Sequence, residues 1–189
     1  MNEHERQLAA DHLAASQERL LGLVDGLTAE QWTFHPGEGR WSIGECLEHV
    51  TRVENRIVGL MGKKLEGPPE PRKQDSAHDG LIRGKDEAIA KMVPDRTTRR
   101  EAPEPVRPIG QWPDTRELLA EFQKTRARTA QFVADTEADL RSYSLPHPAF
   151  GELDCYQWLI VLGLHGERHA RQIEEIKADA EYPGSYSGV

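Results

Sequence analysis

Apolar residues recur at helical spacing in four segments of the chain, and no segment shows the strict alternation or β-branched clustering of a strand. The segments span approximately residues 5–27, 42–65, 113–141 and 153–181. Two helices lie on each side of one long connection, and the links within each pair are short. This pattern predicts an all-α fold, namely an antiparallel four-helix bundle with a long irregular crossover between the second and third helices.

The crossover, residues 67–112, differs in character from the rest of the chain. Eight of the 12 prolines fall between Gly67 and Pro113 with charged residues between them, which excludes a continuous helix. We expect an irregular segment across the outside of the bundle, with room for a short helix near residues 85–92. No repeat interrupts the pattern, so residues 1–189 are predicted to form a single domain.

Composition and charge narrow the function classes. With 189 residues, 37% of them apolar, the chain can bury about 70% of its unfolded surface, so it needs neither a disulfide nor a structural metal to fold. A net charge of −8 disfavours nucleic acid and anionic membranes as partners. The longest apolar run, 158–164, is too short to cross a bilayer. The polar amino terminus lacks a signal segment, so a cytoplasmic location is expected.

The fourth predicted helix carries the main candidates for chemistry. His165 and His169 are one turn apart and project to the same side of the helix, on its core-facing stripe. Two buried imidazoles without partners would be costly, and a shared metal ion would remove that cost. Hydrogen-bonded core histidines are the alternative interpretation.

His49, on the flank of the second helix's apolar stripe, is the third candidate. Three neutral imidazoles from two facing helices would leave coordination positions open for water or substrate, as catalytic sites require. A surface or hydrogen-bonded histidine is again the alternative. The sequence identifies no catalytic side chain beyond these ligands.

The family resemblance rests on two motifs, Trp41-Ser-Ile-Gly-Glu-Cys-Leu-Glu-His49-Val and His165-Gly-Glu-Arg-His169-Ala-Arg-Gln172-Ile. Together with the stretch from Leu27 to His35-Pro36 and the turn before the fourth helix, they resemble the DinB-like superfamily of metal-binding four-helix bundles. The resemblance covers nearly the whole chain and is poor only in residues 67–112. It implies that His49, His165 and His169 bind one divalent ion, usually zinc or nickel, and that the protein is commonly a homodimer.

The resemblance leaves the reaction open. It implies a metal-dependent enzyme whose ion activates water or a low-molecular-weight thiol toward a small electrophilic substrate, as a hydrolase or a thiol transferase. A non-catalytic, stress-related bundle that acts by binding or assembly is the competing class, and a bundle without metal is the third. The zincin protease pattern is absent because Gly166 stands where its glutamate would be, and Glu167 is expected to face away at the surface.

Several nearby residues have weaker claims. Glu45 and Gln172 are candidate partners for the metal ligands, although Glu45 also forms a capping box with Ser42. Cys46 is interpreted as core packing, with an alternative as a ligand or reactive thiol. Cys155 is likewise expected in the core. His12 is expected to be half-exposed on the first helix. The other histidines, His4, His35, His78 and His147, are expected to be solvated in the terminus or in loops.

The aromatic residues and a second apolar stripe on the fourth helix are expected to contribute to packing. Trp32 and Trp41 are predicted to pack at the end of the core, Phe150 to plug the bundle end, and Trp112 is undecided. The fourth helix also carries Leu153, Ile160 and Leu164 opposite the histidines. This second stripe should pack against the covering segment or against a second subunit.

Overall fold

The computed structural model describes residues 1–70 and 85–184. Its four long helices are α1 (Glu3–Val24), α3 (Ile43–Leu65), α5 (Thr115–Asp135) and α6 (Cys155–Lys177), and its short helices are α2 (Ala29–Thr33) and α4 (Lys85–Met92). Two 3₁₀ turns occupy Glu104–Val106 and Leu140–Ser142. The strands β1 (Ser144–His147) and β2 (Gly151–Asp154) form an antiparallel hairpin. The predicted all-α bundle with its irregular crossover is confirmed, and the hairpin is an addition to it.

Side-chain caps determine where the helices begin. Ser42 and Glu45 form the predicted capping box at α3, with Glu45 N donating to Ser42 Oγ at 3.2 Å and Ser42 N donating to Glu45 Oε2 at 2.8 Å. The fourth long helix begins at Cys155, not at Leu153, because Leu153 belongs to β2 and Asp154 is the N-cap. It ends at Lys177, four residues before the predicted position.

Helix α1 also ends earlier than predicted, at Val24 and not at Leu27. The C-cap residue Asp25 is extended, and Gly26 follows with a φ of 66°, a conformation that favours glycine. Thr28 then caps the short helix α2, where only a turn was predicted.

The long helices do not simply alternate in direction. Helices α1 and α6 run parallel, since α1 approaches α6 first at Gly163 and then at Lys177, whose Nζ donates to Leu23 O at 2.8 Å. Helix α5 runs antiparallel to α1, with Arg6 on Val133 and Arg126 on Leu13. Helices α3 and α5 run the same way, because their early residues Leu47 and Phe122 share one apolar cluster and their later residues Ile57 and Val133 share another. The crossover is long because it returns the chain along the bundle to the end where α3 began.

The core consists of two apolar clusters, one toward each end of the bundle. The first contains residues of every long helix, including Leu13, Ile57, Val133 and Leu159, and the second includes Leu20, Leu47, Phe122 and Ile173. Buried polar groups lie between these clusters along the helices. Arg126 Nη2 is 3.0 Å from Glu54 Oε2, and both side chains are at most 2% exposed. This ion pair joins α3 and α5 in the middle of the bundle.

The second apolar stripe of α6 is covered by the same chain. Leu153, Ile160 and Leu164 are buried in the first cluster together with Ile89 of α4, and Phe150 packs on that cluster from the hairpin. The predicted contact with the covering segment is therefore confirmed, and these three side chains are not available to a second subunit. None of the described helices is long and apolar enough to span a membrane.

Candidate metal centre

Three imidazoles from two helices meet inside the bundle. Helix α6 presents His165 and His169 from successive turns, and α3 presents His49 across from them. His165 Nε2 lies 3.2 Å from His49 Nε2 and 3.1 Å from His169 Nε2. Among the described residues, this is the one group of three or more histidine, cysteine or acidic side chains arranged to share an ion.

Burial keeps these histidines uncharged at neutral pH. His49 is 4% exposed and His169 is 5% exposed. Burial lowers the pKa of His49 from 6.5 to about 4, and the pKa values of His165 and His169 also fall well below their ordinary value. Each ring can therefore offer a lone pair to a cation.

The His49 ring is oriented by the crossover. Its Nδ1 lies 2.7 Å from the carbonyl oxygen of Val106, so Nδ1 carries the proton and Nε2 is left with a lone pair that faces the other two rings. Sequence reasoning did not identify Val106, because no motif ties residue 106 to residue 49. Such a carbonyl partner is typical of metal-bound histidines.

Glu48 fixes the crossover segment that supplies this carbonyl. Its buried carboxylate accepts hydrogen bonds from three consecutive backbone N–H groups, those of Ile109, Gly110 and Gln111, at 2.9–3.2 Å. The residue next to His49 in the sequence thus holds the segment that orients the His49 ring. Sequence reasoning missed this role as well.

The donor set fits a divalent ion. On a tetrahedral zinc centre with Zn–N distances of about 2.0–2.1 Å, the nitrogens lie about 3.3 Å apart. The separations of 3.1 and 3.2 Å observed here are close to that value.

Close contact between α1 and α6 brackets His165. A Cβ at Gly163 would lie 2.6 Å from His12 Cβ, and one at Gly166 would lie 2.9 Å from Ser16 Cβ. Glycine is thus required at both positions for α1 to approach this closely. Gly166, which was noted only for the missing zincin glutamate, has a packing role.

Trp41 forms a wall of the site. Its ring centroid lies 4.8 Å from that of His49 and 6.1 Å from that of His169, almost parallel to the latter. It also packs on the second core cluster, as predicted, whereas its contact with the imidazoles was not predicted. Trp32 is buried in the same cluster, and Trp112 packs at its edge.

The two predicted partners of the ligands have other contacts. Glu45 Oε2 accepts from Ser42 N and lies 2.9 Å from His35 Nε2, and Gln172 Oε1 accepts from Arg96 Nη1 at 3.2 Å. Neither forms a hydrogen bond with the three histidines. For His49, the hydrogen-bonding role predicted for them is filled by the carbonyl of Val106. Val106 lies in the irregular crossover, whose position relative to His49 cannot be derived from helical periodicity.

Arginines near the site were also missed. Arg168, three residues after His165, is 7% exposed; its Nη2 donates to Thr98 O at 2.9 Å, and its Nη1 is buried without a partner. Burial lowers its pKa, and the neighbouring Arg96 adds to this effect. Arg96 is paired with Glu175, whereas Arg168 places a buried cation near the histidines.

Both cysteines and Glu167 lie where the sequence predicted, with one difference in burial. Cys46 is fully buried, and burial raises the pKa of its thiol, so its packing role is confirmed. Cys155 is also a buried free thiol. Glu167 points away from the histidines but is partly buried, because it pairs with Arg19 and Arg171.

One histidine prediction was wrong. His147 is partly buried, its ring centroid is 4.9 Å from that of Trp158, and burial lowers its pKa to about 4. The hairpin, which the sequence did not predict, folds this ring against α6. His4 and His35 are exposed and His12 is half-buried, as expected. His78 lies outside the described residues.

The fold and the site together define a four-helix bundle with a buried three-histidine pocket. A family model described as the DinB superfamily matches residues 12–173. The chain belongs to the DinB superfamily.

Two similar proteins come from Bacillus subtilis. The uncharacterized protein YuaE of strain 168 is 27% identical over 158 residues, which are 84% of this chain and 90% of YuaE. The solved structure of YfiT, described as a probable metal-dependent hydrolase with an unusual four-helix bundle topology, matches with a TM-score of 0.61. The match covers 94% of this chain and 88% of YfiT at 14% identity, so it supports the fold.

Proposed function

We propose that this protein is a metal-dependent hydrolase whose divalent ion, zinc or nickel, is bound by His49, His165 and His169. The observation that carries the proposal is the convergence of three uncharged Nε2 atoms, with the His49 ring held by Val106. The description of YfiT as a probable metal-dependent hydrolase supports the same reaction class.

The chemistry follows from the donor set. His49, His165 and His169 would hold the ion through three neutral nitrogens, and an ion held in this way would supply Lewis-acid chemistry and a bound water with a pKa of about 7. The chain's own residues hold the three donors in place, and Trp41 shields one side of the site from solvent. Arg168, whose Nη1 is buried without a partner, would favour a substrate that carries or develops negative charge.

The assay must distinguish the proposed hydrolase from a thiol transferase that uses the same metal site. Burial raises the pKa values of both cysteine thiols of this chain, that of Cys155 to about 12, so neither is a suitable nucleophile. A thiol-dependent reaction would therefore need an external low-molecular-weight thiol as cosubstrate. The homodimer stays a prediction, as does the cytoplasmic location.

Protein purified without a tag and loaded separately with zinc or nickel would test the proposal. A panel of small activated esters, amides and phosphoesters is assayed with and without added thiol. We expect thiol-independent turnover that is lost in His165→Ala and kept in His35→Ala, a matched exposed histidine. Turnover only with thiol would identify a transferase. Bound metal without turnover on any substrate would contradict the enzyme proposal and favour a binding role.

A further inference from the structure

A cavity separate from the histidine site lies beside α3, on the flank of the side that presents His49 and farther along the helix. Its volume is about 450 Å³, which is in the range of small-molecule sites. Arg52, Arg56 and Lys63 line it, and no acidic side chain is among the described lining residues. In a chain of net charge −8, a cavity lined only by basic, neutral polar and apolar groups is unexpected.

The helix places these cations on one strip with a gap in the middle. Positions 52, 56, 59 and 63 fall within about 60° of one another around α3. Gly59 lies between Arg56 and Lys63 along the helix, at one edge of this strip, and a Cβ there would meet no described atom within 4 Å. Packing therefore does not require glycine at this position, and its missing side chain leaves the floor of the cavity bare.

Among the described residues, the cations of this cavity form no ion pair with an acidic side chain. Arg52 Nη2 donates to Pro105 O at 3.2 Å and Nη1 donates to Gln111 Oε1, both uncharged acceptors, and Arg52 Nε is buried without a partner. None of the ion pairs among the described residues includes Arg56 or Lys63. Arg52 and Arg56 lie one turn apart and repel each other, so a bound anion would relieve this repulsion.

The lining of the cavity also includes large apolar side chains. Trp112 and the partly exposed Leu60 line the same cavity as the cations. An indole ring beside guanidinium groups suits a ligand with an anionic head group and a flat apolar body. The size of the cavity and the overall negative charge of the chain disfavour a polyanion such as nucleic acid.

We propose that this cavity binds a small organic anion, whose carboxylate or phosphate head group contacts Arg52, Arg56 and Lys63 and whose apolar body packs on Trp112. The proposal does not rest on the hydrolase activity, because it involves none of the three histidines. The cavity and the histidine site share a wall, since Pro105 bonds Arg52 and the adjacent Val106 bonds His49.

Titration of metal-free, ¹⁵N-labelled protein tests the proposal. The four indole N–H signals are resolved by NMR, and that of Trp112 is assigned with Trp112→Phe. Phenyl phosphate, benzoate and uncharged benzyl alcohol are added separately. We expect a saturable shift of the Trp112 signal with at least one of the two anions and none with benzyl alcohol. Absence of a shift with both anions, or an equal shift with benzyl alcohol, would overturn the proposal.

Two glycines of α3 provide a matched pair of variants. Gly59→Glu would fill the floor of the cavity with a carboxylate, whereas Gly62→Glu adds the same charge outside it, where a Cβ also meets nothing within 4 Å. We expect the first variant to weaken anion binding about tenfold or more and the second to leave it nearly unchanged. Equal weakening in both variants would refute a local site. Circular dichroism confirms that each variant is folded.

Discussion

Acidification of the metal-free protein should destabilise it through its buried histidines. Burial lowers the pKa of His49 in the folded state from 6.5 to about 4. The unfolded chain therefore binds a proton at a higher pH than the folded protein does. The stability contributed by neutral His49 is complete above about pH 6.5 and is lost as the pH falls toward the folded-state pKa.

The size of the effect follows from these two pKa values. At about pH 4.5, the difference between 6.5 and about 4 corresponds to a loss of about 2.5 kcal/mol from His49 alone. The pKa values of His165 and His169 are lowered in the same direction, so the total loss is larger. A loss of this size is a large share of the ~5–15 kcal/mol by which a domain is usually stable.

Urea unfolding at a series of pH values measures this loss. The His49→Gln variant removes one contributor, so the difference in unfolding free energy between wild type and variant should shrink by about 2.5 kcal/mol from about pH 7.5 to about pH 4.5. His35→Gln is the control, because His35 is exposed. If the two variants show the same pH dependence as the wild type, the conclusion that burial keeps His49 neutral is refuted.

Three further predictions concern the interior and the crossover. Glu54→Ala leaves Arg126 charged and buried without its partner, so the unfolding free energy measured with urea should fall by about 3–5 kcal/mol. The Glu54→Leu/Arg126→Met double variant should restore most of this loss. A fall of less than ~1 kcal/mol in Glu54→Ala would contradict the prediction. Gly163→Ala should lower the unfolding free energy by about 1–3 kcal/mol because the added Cβ would meet α1. Gly59→Ala, in open space, should raise it by about 0.5–1 kcal/mol. Similar effects of the two substitutions in urea unfolding would argue against the close approach of α1 to α6. Glu48→Ala should weaken metal binding about 10–100-fold in a chelator competition, because the crossover segment that orients His49 loses its hydrogen bonds to the Glu48 carboxylate. Unchanged metal affinity would refute this role of Glu48.

Periodic features of the sequence predicted much of the fold. The apolar spacing of the four long helices, the capping box at Ser42 and the shared side of His165 and His169 all depend on local geometry, so they can be derived without knowing the tertiary structure. The clustering of prolines likewise identified the crossover. The meeting of His49 with the other two rings needed the family resemblance in addition, because it joins two distant helices.

Features that depend on which segments meet in space were not predictable in this way. The Val106 carbonyl at His49 and the ion pair between Glu54 and Arg126 join residues that are 57 and 72 positions apart. The hairpin strands are four residues each, too short to show an alternating pattern. The placement of His147 against α6 depends on that hairpin, and its sequence position alone indicated an exposed loop.

The metal content of untagged protein tests the central claim most directly. Stripped protein is reconstituted with zinc or nickel, freed of excess ion and measured by elemental analysis alongside the His165→Ala and His35→Ala variants. We predict about one ion per chain in the wild type and in His35→Ala, and loss of the ion in His165→Ala. A wild-type protein that retains no ion, or a His165→Ala variant that retains as much as the wild type, would contradict the assignment of the three histidines as one metal centre.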